Sequence, residues 1–146
     1  MTHSPSSRRP KILVVDDEET LAELMEEALS QSGFDVARAT SIAKAEALLT
    51  AFRPDVVITD VYFPEGPCWP FIASLRWLQP APAVILVSAF GAAFGPQERE
   101  LGDVVLAKPF RLGVMISVVR KLLAERGFDA GGDDETDAGD RVAPQS

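Results

Sequence analysis

The stretch Arg53–Pro64, RPDVVITDVYFP, decides the fold. Pro54 and Asp55 close whatever precedes them. Val56, Val57 and Ile58 form a short β-branched run, which predicts a strand covered on both faces. Thr59 and Asp60 follow, then a loop that closes on Phe63-Pro64. A carboxylate therefore stands on the C-terminal lip of a buried strand, and in open parallel sheets that lip is where ligands bind.

The same alternation continues on both sides. Upstream, Lys11 to Val15 predicts a strand that ends on Asp16-Asp17. Glu18 and Glu19 lead into a helix whose stripe is Leu21, Leu24, Met25, Ala28 and Leu29, closed by Gly33. Acids crowd its first turn, where the helix dipole favours them. Phe34 to Ala39 predicts a second strand, and Ser41 caps a second helix facing inward through Ile42, Ala45, Leu48 and Leu49. Downstream, a third helix spans Trp69 to Leu78, with Pro70 tolerated in its first turn. Ala83 to Val87 is a fourth strand, ending on Ser88. A short helix interrupted by Gly95 and Pro96 is expected over 91–102. A fifth strand, Asp103 to Ala107, ends on Lys108-Pro109, and a last helix runs from Leu112 to Arg126. Five strand–helix units predict an α/β fold, a five-stranded parallel sheet with helices on both faces. Right-handed crossovers favour the flavodoxin-like order 2-1-3-4-5. Its switch point lies between the strands that end in Asp16-Asp17 and Asp60.

Composition narrows the function. The 146 residues carry a formal charge of -8. Residues 127–146 hold six acids against Arg141, while residues 1–11 hold Arg8, Arg9 and Lys11. The two ends, 1–10 and 127–146, are expected to be disordered tails around a domain at 11–126. An acidic body argues against nucleic-acid binding. The most apolar window, Ala81 to Gly95, is broken by Pro82, Ser88 and Gly91, so no membrane span is expected. One cysteine, Cys68, excludes an internal disulfide, and a reducing, cytoplasmic setting is expected. The single histidine, His3, lies in the leading tail, which removes histidine catalysis from the folded body.

Four strand ends supply residues suited to one site: Asp16-Asp17, Asp60, Ser88 and Lys108. Carboxylates held close repel one another. An oxygen-seeking divalent cation relieves this, and Mg2+ fits because it takes one or two carboxylates with water and phosphate. Lys108 adds a fixed cation and Ser88 a hydroxyl donor. The set suits a phosphoryl group on Asp60, with Asp60 as nucleophile. Taken singly, each residue has a plain structural alternative. Asp16 and Asp17 could cap the first helix, Lys108 could be a loop lysine, and Ser88 a turn residue.

With these residues in view, the chain resembles the receiver domain of bacterial two-component response regulators, of the stand-alone, chemotaxis-regulator-like kind. The matching pieces are ILVVDDEE at 12–19, VVITDVYFP at 56–64, ILVSA at 85–89 and LAKPF at 106–110, covering residues 11–126 in family order. The resemblance implies Asp60 as phosphoacceptor. It implies Mg2+ held by Asp16, Asp17, Asp60 and the backbone carbonyl of Tyr62. Ser88 and Lys108 would bind the phosphoryl group, and Lys108-Pro109 would be cis. The donor would be a histidine kinase or histidine phosphotransfer protein. The chain would not be an enzyme in its own right, but a phosphoacceptor that assists its own phosphoryl transfer and slow dephosphorylation. Output would come through an unknown downstream protein or by onward phosphotransfer.

Several positions depart from the family pattern. Cys68 stands where glycine is common, in a stiff loop with Pro67, Trp69 and Pro70. Val105 replaces the aromatic that often switches three residues before the lysine. Tyr62 and Phe90, two residues past Asp60 and Ser88, would shield the phosphoryl group from water and slow its loss. Phe90, Ala92, Ala93 and Phe94 form an apolar group, either core or a docking patch. These departures keep open an interaction module that works without phosphorylation. A hydrolase is a weaker reading, because Asp60-Val61-Tyr62 lacks a second carboxylate two residues on.

Overall fold

The computed structural model describes residues 8–89 and 100–128. Strands are numbered β1 (Lys11–Val15), β2 (Asp35–Ala39), β3 (Val56–Asp60), β4 (Tyr62–Phe63), β5 (Gly66–Pro67), β6 (Ala83–Ser88) and β7 (Val104–Ala107). The helices are α1 (Glu19–Gln31), α2 (Ile42–Phe52), α3 (Trp69–Leu75) and α4 (Leu112–Glu125). The main sheet runs β2-β1-β3-β6-β7 with every pair parallel. This is the anticipated 2-1-3-4-5 order, since β4 and β5 form a separate antiparallel hairpin. The helix expected over 91–102 falls almost wholly outside the described residues, as do Phe90 and the apolar group that begins with it.

Alternate residues of the three central strands feed two cores, as the pleat requires. Ile12, Val14, Val56, Ile58, Ala83, Ile85 and Val87 pack with α1 and α4 through Met25, Leu29, Met115 and Leu123. Leu13, Val15, Val57, Val84 and Leu86 pack with α2 and α3 through Leu49, Phe71, Ile72 and Leu75. Burial on both faces explains why these strands read as unbroken apolar runs.

The helix ends follow from local chemistry. Ser41 accepts the Lys44 amide at 3.1 Å and caps α2. Gly33, at φ +99°, closes α1 in a Schellman turn: Phe34 N–H donates to Leu29 and Gly33 N–H to Ser30. Gly127 and Phe128 repeat this turn after α4, with bonds to Leu123 and Ala124. Gly127 and Phe128 are thus part of the fold rather than the start of a tail. Residues 8–10 are also engaged, through Pro10 C=O to the Asp35 amide and Arg8 to Asp55. Within α1 the stripe is narrower than expected. Ala22, Met25 and Leu29 are buried, while Leu24 faces out. On α4, Val114 likewise faces out. Helix α3 stops at Leu75, short of Leu78. Residues 76–78 continue only in three-residue turns before the proline-rich link.

Candidate functional site

The register of the sheet brings the predicted lip residues together. Asp60 ends β3 and pairs with Val87 of β6. Ser88, the next residue, is buried and pairs with Ala107 of β7, and its carbonyl accepts the Lys108 amide at 2.9 Å. The Lys108-Pro109 peptide is cis. On the other side of β3, Asp16 follows β1, with its amide bonded to Ala39 C=O.

Carboxylate oxygens of Asp16, Asp17 and Asp60 all lie within 4.8 Å of one another. Asp16 is fully buried, Asp60 half-buried and Asp17 exposed. Lys108 Nζ sits 3.1 Å from Asp16 Oδ2 and 3.4 Å from Asp60 Oδ2. It also lies 3.7 Å from exposed Glu18 Oε1. Asp16 Oδ1 accepts the Glu18 amide, and Asp60 Oδ1 accepts the Val61 amide, both at 2.9 Å. The α1 N-cap is Glu18, without a side-chain cap bond. Asp16 thus braces the entry to the helix with one oxygen only.

Its other oxygen is the telling atom. Asp16 Oδ2 is buried and, despite the nearby ammonium, accepts no well-angled hydrogen bond. Charge makes the same point. Two carboxylates about 4 Å apart repel by roughly 4 kcal/mol at an effective dielectric of 20. One ammonium among three carboxylates leaves two negative charges. Burial raises the Asp60 carboxyl above its ordinary pKa, Lys108 opposes the rise, and Asp16 adds to it. Burial lowers the Lys108 ammonium, but its pairing with Asp16 and Asp60 outweighs that and raises it. It stays protonated throughout the neutral range. An orphaned buried oxygen and a triangle of hard oxygen donors fit a divalent cation such as Mg2+.

The remaining predicted residues fall as follows. Tyr62, two residues past Asp60, is 49% exposed on the hairpin β4–β5. Phe90 is outside the described residues. Val105 is half-buried against the core that holds Leu86. Cys68 is enclosed, and burial pushes its thiol up to about 12, so it is an inert packing residue at neutral pH. Sequence reasoning missed the hairpin itself. Glu65 at its tip accepts the Ile42 amide, and Cys68 N–H donates to Val61 C=O at 2.7 Å. The loop after Asp60 is thereby tied to the start of α2. The Gly66-Pro67 pair, with Gly66 at φ +132°, was the available signal.

The fold and this lip of acids and lysine define a phosphoryl-signalling class of domain. Residues 12–120 match the response regulator receiver domain, and the chain belongs to that family. Receiver domains of this kind are phosphoacceptors of two-component systems. Among curated relatives, the transcriptional regulatory protein PrrA of Mycobacterium bovis is 33% identical over 132 residues, covering 87% of this chain and 55% of PrrA. The DNA-binding transcriptional regulator NtrC of Bradyrhizobium is 32% identical, covering 78% of this chain and 24% of NtrC. The chain therefore spans about half of one relative and a quarter of the other. Among solved structures, the non-phosphorylated HemR receiver domain of Leptospira biflexa superposes with a TM-score of 0.70 at 27% identity, covering 80% and 95% of the two chains. A CheY-like receiver domain of Methylobacillus flagellatus gives 0.72 at 24% identity, covering 79% and 99%. Among the described residues, no helix is long and apolar enough to cross a membrane.

Proposed function

We propose that this chain is a response regulator in which Asp60 accepts a phosphoryl group from a phosphohistidine on a histidine kinase or phosphotransfer protein. The observation that carries the reading is the orphaned Asp16 oxygen beside Asp60, Asp17 and Lys108. Asp16, Asp17 and Asp60, with the Tyr62 carbonyl, would hold Mg2+. When bound, the cation would offset negative charge on the phosphoryl oxygens. In the transfer an ionised Asp60 oxygen forms a bond to phosphorus as the donor's N–P bond breaks. The imidazole keeps the electron pair and takes up a proton. Lys108 favours the ionised Asp60 that this attack needs and faces the charge that builds up. Ser88, by its place on the lip, would donate to a phosphoryl oxygen. Tyr62 and Phe90 would limit the approach of water and slow hydrolysis.

We assign residues 11–126 to the receiver, with residues 8–10 and 127–128 packed onto it. Output is read as protein binding or onward phosphotransfer, because the body of the chain is acidic. The DNA-binding named for some relatives is a property of those longer proteins.

Intact-mass measurement tests this with acetyl phosphate, and separately with a phosphorylated histidine donor, in the presence of Mg2+. A phosphate-sized gain that disappears on chelation and in Asp60→Asn is expected. No gain with either donor would replace this reading with a module that binds partners without phosphorylation.

A further inference from the structure

We propose that the acidic segment 129–146 folds back onto a basic groove at the N-terminal edge of the sheet, opposite Asp60. The groove has a volume of about 500 Å³, and its walls include Arg8, Lys11, Leu49, Arg53, Trp77 and Pro80. Arg8 and Pro80 precede β1 and β6, Lys11 opens β1, Leu49 lies in the last turn of α2, and Arg53 and Trp77 follow α2 and α3, so they share the far edge. Three cations line the groove against one carboxylate, Asp55. Asp55 is already occupied: Arg8 clasps it through two bonds of 2.9 Å, and the Lys11 amide donates to it at 2.7 Å. The Lys11 ammonium rests over the Phe52 ring at 5.7 Å, and among the described residues Arg53 donates to the Gln79 carbonyl, at 3.4 Å. Trp77, 86% exposed, forms an apolar wall beside them.

The occupant follows from where the chain leaves the fold. The Schellman turn at Gly127 delivers Phe128 against Arg8, whose guanidinium is 5.2 Å from the ring centroid. Phe128, the last described residue, therefore sits beside a wall of the groove. The segment from 129 to 146 carries Asp129, Asp133, Asp134, Glu135, Asp137 and Asp140 against a single Arg141. Extended, such a segment reaches on the order of 60 Å, far more than the groove requires. Tethering holds it at roughly millimolar effective concentration, so even a weak contact is well populated. The opposite edge, with Asp16, Asp17, Glu18 and Asp60, repels it. Docking leaves the phosphoryl site open, and it does not depend on the chemistry assigned to Asp60.

The test uses the full chain with a nitroxide on Ala138→Cys. Cys68 is buried with a thiol near 12, so the label goes to the new residue. Paramagnetic relaxation is read at the Trp77 indole and at the Lys11 and Arg53 amides, with Glu23 and Val61 as distant references. The groove signals should relax several-fold faster than the references. The excess should vanish in about 0.5 M salt, where screening is severe, and in the double variant Lys11→Gln/Arg53→Asn. Asparagine tolerates the left-handed backbone of Arg53. The pattern should persist in Asp60→Asn. Uniform relaxation, a maximum on another face, or insensitivity to salt and to the double variant would overturn the proposal. So would transfer of the effect to isotope-labelled, nitroxide-free chains in a mixture, which would make the occupant a second copy.

Discussion

Asp55 and Asp60 bracket the same strand, β3, one just before its start and the other at its end. Asp55 is satisfied: two bonds from Arg8 and one from the Lys11 amide leave its carboxylate fully engaged. Asp60 has fewer bonds: it accepts the Val61 amide and, at 3.4 Å, the Lys108 ammonium, which it shares with Asp16, whose own Oδ2 accepts no well-angled hydrogen bond. A carboxylate whose bonds are complete holds the fold together. One with fewer bonds, crowded by others of its kind, is the one proposed to take a ligand. The two ends of one strand show that difference within a single protein.

The comparison breaks first on chemistry. Asp60→Asn should abolish phosphoryl incorporation entirely by intact mass, while Asp55→Asn leaves it intact. Second, Mg2+ at a hundred times its Kd should stabilise the wild type by about 2.7 kcal/mol in thermal unfolding. Asp16→Asn should lose most of that gain, and Asp55→Asn none. Third, Asp55→Ala should cost about 2 kcal/mol in urea unfolding, because charge-assisted bonds are lost and the Lys11 amide is orphaned. The partly exposed Arg8 keeps the figure from being larger. Fourth, Gly102→Ala should cost about 1–2 kcal/mol without touching phosphorylation, since a Cβ there would meet buried Leu86 Cγ at 2.6 Å.

The smallest effect is a pH slope. In divalent-free buffer the folded state holds the Asp60 proton more tightly than the unfolded chain does, because its pKa is raised above 3.8. Between 3.8 and the raised value the folded state binds more protons, so stability falls as pH rises through that window. Asp60→Asn should remove this part of the slope and unfold at a higher temperature than wild type at neutral pH. Thermal melts across acid to neutral pH check it. Melts that fall in parallel for both proteins would contradict a raised Asp60 carboxyl.

The sheet order and the lip residues were legible because both depend on short-range signals. β-branched runs buried on two faces announce β1, β3 and β6, and each ends in a residue out of place in a core. The far edge was not legible. Nothing in the Ser/Pro/Arg-rich segment at the start marks Arg8 as the partner of a residue 47 positions later, and Asp55 reads only as closing what precedes it. The hairpin after Asp60 escaped because its strands are two residues each, too short for any periodicity. Leu24 was assigned inward because a five-residue stripe is broader than the face that α1 turns to the sheet.

The most direct test of the central claim uses two reporter amides, each bonded to one of the compared carboxylates. Val61 N–H donates to Asp60, and Lys11 N–H donates to Asp55. In a Mg2+ titration followed by amide NMR, Val61 should shift saturably, Lys11 should stay still, and the Val61 shift should vanish in Asp16→Asn. A still Val61, or equal movement at both ends of β3, would contradict the account.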